Sequence, residues 1–288
     1  MTLKEKIQNK KFIITSEIGP PKGIDVKNIL DEARLLKGRV DAINVTDSQS
    51  AVMRLGSLAV SLLLKEEGVE PVFQLTCRDR NRIALQSDAL SAAVLGIENI
   101  LVLTGDHPSR GDHPEAKAVF DLDSVQLIEA LKKLEGGKDM AGKELKGAPK
   151  FCIGAVANPG VDPLEPELIK FEKKLEAGAE FFQTQGVYDV GAFAKFMDKV
   201  KGHNTCVIAG IILIKSADMA RFMNKNVAGI FIPDGLIKEV EGAADKQEKA
   251  VEIASRTIKE LKGLAQGVHI MSLGWNKLVP RILDAAGL

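Results

Sequence analysis

Short apolar runs alternate with stretches of helical periodicity along almost the whole chain. Residues 12–18, 42–46, 72–77, 100–104, 151–156, 180–185 and 206–213 are runs of strand length, rich in β-branched or aromatic residues. Between the first two, Val26, Ile29, Leu30, Ala33 and Leu36 recur at helical spacing, which predicts a helix over 25–37. The same pattern predicts helices ending near 67, over 81–95, from about 124, over 165–177 and 190–200, and after 216. An eighth strand has two candidates, GIFIP at 229–233 and HIMSL at 269–273. The second is preferred, because a long helical pattern (246–264) precedes it and a short one (276–286) follows. GIFIP then becomes an extended excursion within the seventh helical layer.

Strict alternation of β and α units implies a parallel sheet, and eight units imply closure into a single (β/α)8 TIM barrel. An open doubly wound sheet would place a Gly-rich phosphate loop after the first strand. The chain has IGPPKG there instead. Nothing marks a second domain, so residues 1–288 are read as one barrel. The segment 135–147, EGGKDMAGKELKG, reads as a flexible surface loop or hairpin inserted in it.

Charge narrows the partners. Lys plus Arg equals Asp plus Glu, 39 of each, so no net field draws the protein to nucleic acid or to an acidic membrane. No run is long and apolar enough to span a bilayer, and the N-terminus has no apolar signal core, so the cytoplasm is expected. Cys77, Cys152 and Cys206 are too dispersed for a metal or iron–sulfur site and read as small core residues. No metal is expected.

In such a barrel the chemistry gathers at the C-terminal ends of the strands. There the sequence places Glu17, Thr46 and Asp47, the run Thr76 to Asn81 with Arg78 in it, Thr104, Gly105, Asp106 and His107, Asn158, and Thr184 and Gln185. Glu17 lies in an apolar strand, where desolvation favours its protonated form and so suits a general acid. The bland alternative is a strand-end carboxylate paired with a nearby cation. Asp106 follows a glycine that lets backbone approach a ligand, although T-G-D taken alone reads better as a turn. Gln185 offers both donor and acceptor to a heteroaromatic ligand. Lys170, Lys173 and Lys174 follow the fifth strand and read by charge pattern alone as a solvated helix face.

The rim segments TSEIGPPKG (15–23), QLTCRDRN (74–81), LVLTGDHP (101–108), GAVANP (154–159), KKLEAGAEFFQTQGVYD (173–189) and GVHIMSLG (267–274) resemble the methylenetetrahydrofolate reductase family. The likeness extends from near the first residue to the last helix, and is greatest to short bacterial members that consist of the catalytic barrel. It implies a non-covalent flavin (FAD or FMN), methylenetetrahydrofolate as substrate and NADH or NADPH as candidate electron donor. It implies that Glu17 is the general acid. Asp106 would contact the pterin beside the flavin, and Gln185 would bind substrate. Thr46, Gln74, Thr104, Gly105, Asp106, Asn158, Asp162, Glu167, Lys170 and Lys174 would fall along the flavin. An oligomer is expected.

The chain departs from the family pattern at four places. Many members have His at Gln74 and Arg at Thr104, and some have Tyr at Asn158 and Phe at Ala217. These departures leave FAD and FMN both open. They also raise a second donor, an iron–sulfur partner subunit. Two other readings stay open from the sequence: a flavin-free pterin-binding methyltransferase barrel, and a non-catalytic barrel subunit of a complex.

Overall fold

The computed structural model describes residues 1–288. Eight parallel strands close on themselves in chain order: β1 (Ile13–Ile18), β2 (Ala42–Val45), β3 (Pro71–Thr76), β4 (Asn99–Leu103), β5 (Cys152–Ala157), β6 (Phe181–Gly186), β7 (Cys206–Ile212) and β8 (Gly267–Met271). The barrel shuts where Ile13 to Ser16 pair with Gly267 to Ile270. The expected (β/α)8 barrel is therefore present, and its eighth strand is the HIMSL candidate, begun two residues earlier. The strand stops at Met271 because Leu273 takes a left-handed φ of 52° and Ser272 turns its hydroxyl to Asn276, 2.5 Å away.

The helices in chain order are α1 (Leu3–Gln8), α2 (Lys27–Leu36), α3 (Ser57–Glu66), α4 (Arg82–Val94), α5 (Ser124–Glu135), α6 (Glu165–Ala177), α7 (Val190–Val200), α8 (Ala217–Asn226), α9 (Asp234–Gly242), α10 (Lys246–Leu261) and α11 (Val279–Ala286). GIFIP is no strand. Its Ile230 and Ile232 bury beside Met223 of α8 and Ile237 of α9, as an extended excursion should. Residues 135–147 form a small hairpin, bridged between Lys138 and Glu144. The three cysteines are buried, and loss of hydration pushes the Cys77 and Cys206 thiols up to about 12 and the Cys152 thiol up as well. They pack as core residues.

Strand alternation splits the interior in two. Outward residues such as Ile43, Phe73, Ile100, Ile153, Phe182, Val207 and Val268 bury against the helices. Inward residues fill the barrel in layers. The lowest layer is apolar: Ile13, Val72, Leu101, Cys152, Phe181 and Ile208, sealed from below by Leu3 of α1. A capping box between Thr2 and Glu5 starts that helix. Gly154 is required in this layer, since a Cβ there would lie 2.2 Å from the Phe181 ring. The middle layer is polar, and the top layer opens as a cavity.

Candidate active site

A cavity of about 390 Å³ sits at the C-terminal mouth of the barrel. Glu17, Thr46, Gln74, Gly105, Asp106 and Gln185, all anticipated from sequence, line it. Thr104 is exposed on the same rim. Asn158 follows β5 and Glu167, Lys170 and Lys174 stand on α6; none of the four lines the cavity, and Lys170 is exposed. Asp162 is exposed in the loop between.

Each cavity residue is set by its strand. Glu17 ends the inward series Ile13, Thr15, Glu17 on β1 and is 8 % exposed. Its carboxylate accepts no hydrogen bond from the protein, and Oε2 lies 3.8 Å from His269 Nε2. The expected alternative, pairing with Lys or Arg, is absent. Gln74 is likewise buried with an amide that has no protein partner. Such groups at a cavity wall are free to meet a ligand. Gln185 follows a register shift between β6 and β7, where Gly210 N–H donates instead to Thr184 Oγ1 at 3.0 Å. Strand alternation puts Gln183 and Gln185 both on the cavity side.

Gly105 allows the closest approach. Its φ is +92°, and a Cβ there would lie 2.3 Å from Thr76 Cγ2. The following residue, Asp106, is exposed to the cavity mouth and its backbone carbonyl accepts from Arg78 Nη1 at 3.4 Å. Arg78 is almost fully buried. It forks onto the Asp79 carboxylate at 2.8 and 2.6 Å and donates to Ser48 O at 3.2 Å. One guanidinium therefore ties the loops after β2 and β4 to that after β3.

The β2 loop is strained. Ser48, Ser50 and Ala51 have φ of 46°, 56° and 57°, each costing about 1–3 kcal/mol for a non-glycine residue. Asp112, in the loop after β4, helps hold it, accepting from Met53 N–H at 3.0 Å and pairing with Lys22 from the β1 loop. These contacts hold the Asp112 carboxyl well below the usual carboxylate range. Asp47 is fixed by Arg80 at 2.7 Å and by Thr76 N–H at 3.0 Å.

On the β5 side, Lys174 is drawn inward and donates to Val156 O at 2.6 Å. Burial lowers its pKa, opposed by the charge of Glu167. Glu167 accepts from Asn158 N–H at 2.8 Å, while the Asn158 amide donates to Ala228 O. Lys174 is thus a partly desolvated cation beside the cavity, not the fully solvated helix-face lysine that charge pattern suggests. On the far side Lys215 lies over Trp275, 5.1 Å from the ring centroid.

Sequence reasoning missed the middle layer. Thr15, Asn44, Gln183 and His269 meet inside the barrel beneath Glu17, linked by hydrogen bonds of 2.7 to 3.2 Å. Each stands two residues before a cavity-lining position on its own strand, so counting back by two from the rim would have found them. Arg78 and Asp47 were placed on the rim from the sequence, but the part they play in tying the loops together was not read.

The profile of the methylenetetrahydrofolate reductase family matches residues 2–287. The chain belongs to that family. It is similar to methylenetetrahydrofolate reductase 2 of Schizosaccharomyces pombe, with 26 % identity over 99 % of this chain and 47 % of that protein. The 5,10-methylenetetrahydrofolate reductase of Salmonella typhimurium is 26 % identical over 82 % of this chain and 75 % of its own length. The chain thus spans about half the length of the fission yeast relative. Among solved structures, an EDTA monooxygenase from Chelativorans sp. BNC1 superposes with a TM-score of 0.58 at 12 % identity, covering 96 % of this chain and 93 % of that one. At such identity the likeness shows the barrel fold alone. The methylenetetrahydrofolate reductase family membership rests on the sequence, and the rim residues that carried the resemblance gather at the barrel mouth.

Proposed function

We propose that this chain is a flavin-dependent reductase that converts 5,10-methylenetetrahydrofolate to 5-methyltetrahydrofolate. The observation that supports this most strongly is a single cavity lined by Glu17, Asp106 and Gln185, with an unpartnered Gln74 amide in its wall. The cavity volume lies within the roughly 300–1,000 Å³ span of small-molecule sites. The residues fit a flavin: Gln74, Thr46 and the backbone at Gly105 offer hydrogen-bonding groups, and Lys174 and Lys170 supply positive charge on the β5 side for its phosphate. FAD and FMN both suit that donor set. When bound, the flavin supplies the hydride for the reduction.

The chain's own residues do the acid–base and positioning work. Glu17 donates its proton to the substrate's ring nitrogen, so that the five-membered ring opens to an iminium. Asp106, with no cation paired to its carboxylate, favours that positive charge across the cavity mouth. Gln185 holds the pterin by donor and acceptor together. The iminium carbon accepts hydride and becomes the methyl group. In this reading residues 1–288 form one flavin-binding unit of cytoplasmic one-carbon metabolism, working as an oligomer. No helix is long and apolar enough to cross a membrane. Its electron donor is an iron–sulfur partner subunit more readily than free NADH or NADPH. The support is Ala217, the position where some family members carry a Phe that could stack on a nicotinamide.

Glu17→Gln tests this reading. The variant keeps flavin and its reduction by the donor, while folate turnover falls by about 10²- to 10⁴-fold. An equal fall in both half-reactions refutes the assignment, and a chain that takes up neither FAD nor FMN refutes the flavin.

A further inference from the structure

We infer that the buried Asn44–Gln183–Thr15 chain fixes the tautomer of His269, so that its Nε2–H, not a lone pair, faces Glu17. This deepens, and rests on, the reading of Glu17 as the proton donor. The inference follows from tracing protons through the middle layer. Asn44 Nδ2 donates to Gln183 Oε1 at 2.7 Å, and Gln183 Nε2 donates back to Asn44 Oδ1 at 3.2 Å. That exchange orients the Gln183 amide. Its nitrogen also donates to Thr15 Oγ1 at 3.2 Å. The Thr15 hydroxyl, already an acceptor, has one proton of its own, and its other neighbour is His269 Nδ1 at 2.9 Å. The hydroxyl therefore donates to Nδ1. A neutral imidazole that accepts at Nδ1 carries its proton on Nε2.

Nε2 points at Glu17, 3.8 Å from Oε2. The opposite tautomer would trap the buried Thr15 hydroxyl between two N–H donors, leaving its own proton without an acceptor. It would also set a nitrogen lone pair against the carboxylate that forms once Glu17 has given up its proton. Both carry the cost of an unsatisfied buried polar group. His269 and Thr15 are almost fully buried, so water does not relieve either clash.

The consequence is directional. When Glu17 passes its proton to substrate, the pair loses that one proton, His269 keeps its own on Nε2, and the carboxylate left behind faces an N–H dipole 3.8 Å away. His269 is thus a positioning residue for Glu17, and Thr15 and Gln183 act through it. The other charged groups lining the cavity are engaged or distant from this pair. Asp47 is bound by Arg80, Arg78 is neutralised by Asp79, and Asp106 stands on the β4 rim.

The tautomer is readable without activity. The full chain, purified with its flavin and labelled with 15N-histidine, gives four imidazoles, and a His269→Gln variant identifies the one that matters. The expected spectrum shows His269 protonated on Nε2 and bare on Nδ1. Thr15→Val releases that fixed tautomer and slows the folate step by about 10-fold or more, short of the loss of the acid itself, with flavin reduction unchanged. Thr15→Ser restores both signals. A wild-type His269 protonated on Nδ1 overturns the inference, as does a Thr15→Val protein with an unaltered tautomer. If Thr15→Val fails to fold, the wild-type spectrum still decides. A chain inert toward folate that nonetheless shows Nε2–H refutes the reductase reading and supports the tautomer, so the two failures are distinct.

Discussion

Gly105→Ala strikes the cavity wall at its tightest point. Two costs add. A left-handed φ of +92° is one that an L-residue adopts at about 1–2 kcal/mol. The new methyl group would also stand 2.3 Å from Thr76 Cγ2, with Arg78 Cβ next at 3.1 Å. Thr76 ends a buried strand and cannot swing away, so the overlap costs a further amount of about 1–3 kcal/mol, typical of overpacking. The sum is about 2–5 kcal/mol, a fall in Tm of roughly 3–8 °C for a domain of this size. Thr76→Ser removes Cγ2 and with it the steric share, leaving the φ share untouched. The double variant should therefore recover about 1–3 kcal/mol relative to the sum of the single changes. Thermal unfolding of the four proteins gives the cycle, and flavin titration of each reports whether Asp106 has been displaced. A Gly105→Ala protein as stable as wild type, or a double variant with no recovery, would refute the close packing of the β3 and β4 ends.

Other expectations follow from the same geometry. Asp106→Asn removes an unpaired negative charge at the mouth; flavin potential should rise and folate reduction slow, and an unchanged potential in a spectroelectrochemical titration would place Asp106 away from the flavin. Arg82 donates to Asp121 and holds its carboxyl down to about 2, against an unfolded value of about 3.9. That stabilisation is present above about pH 4 and is lost as pH falls through about 2, so the Tm gap between wild type and Asp121→Asn should close over that window; a gap independent of pH would contradict the pairing. Leu3→Ala opens the barrel floor at a fully buried site and should cost about 2–5 kcal/mol by chemical denaturation while leaving flavin affinity unchanged.

The fold was legible because its two periodicities are clean. Strand-length runs such as 42–46 and 100–104 alternate with helical spacing such as Val26, Ile29, Ala33, and closure follows from the count. What escaped had physical causes. The helix Leu3–Gln8 is too short to stand out by periodicity, yet its Thr2 and Glu5 capping box was readable. The last strand ends early because Leu273 turns left-handed, a tertiary choice that its apolar side chain does not announce. In the site, rim residues Glu17, Asp106 and Gln185 were found because they end strands. Gln183 and His269 were not, since a polar residue in mid-strand reads as noise until strand parity turns it inward. Lys174 read as solvated because charge pattern does not show that its long stem reaches the Val156 carbonyl.

Anaerobic mixing of the flavin-loaded chain with 5-methyltetrahydrofolate tests the central claim most directly. Run in this reverse sense, the reaction needs no electron donor, so it isolates the Glu17–Asp106–Gln185 site from the question of NADH or a partner subunit. The account predicts bleaching of the flavin absorbance with formation of methylenetetrahydrofolate, abolished in Glu17→Gln. A flavin that binds stoichiometrically and stays oxidised at saturating methyltetrahydrofolate would contradict it.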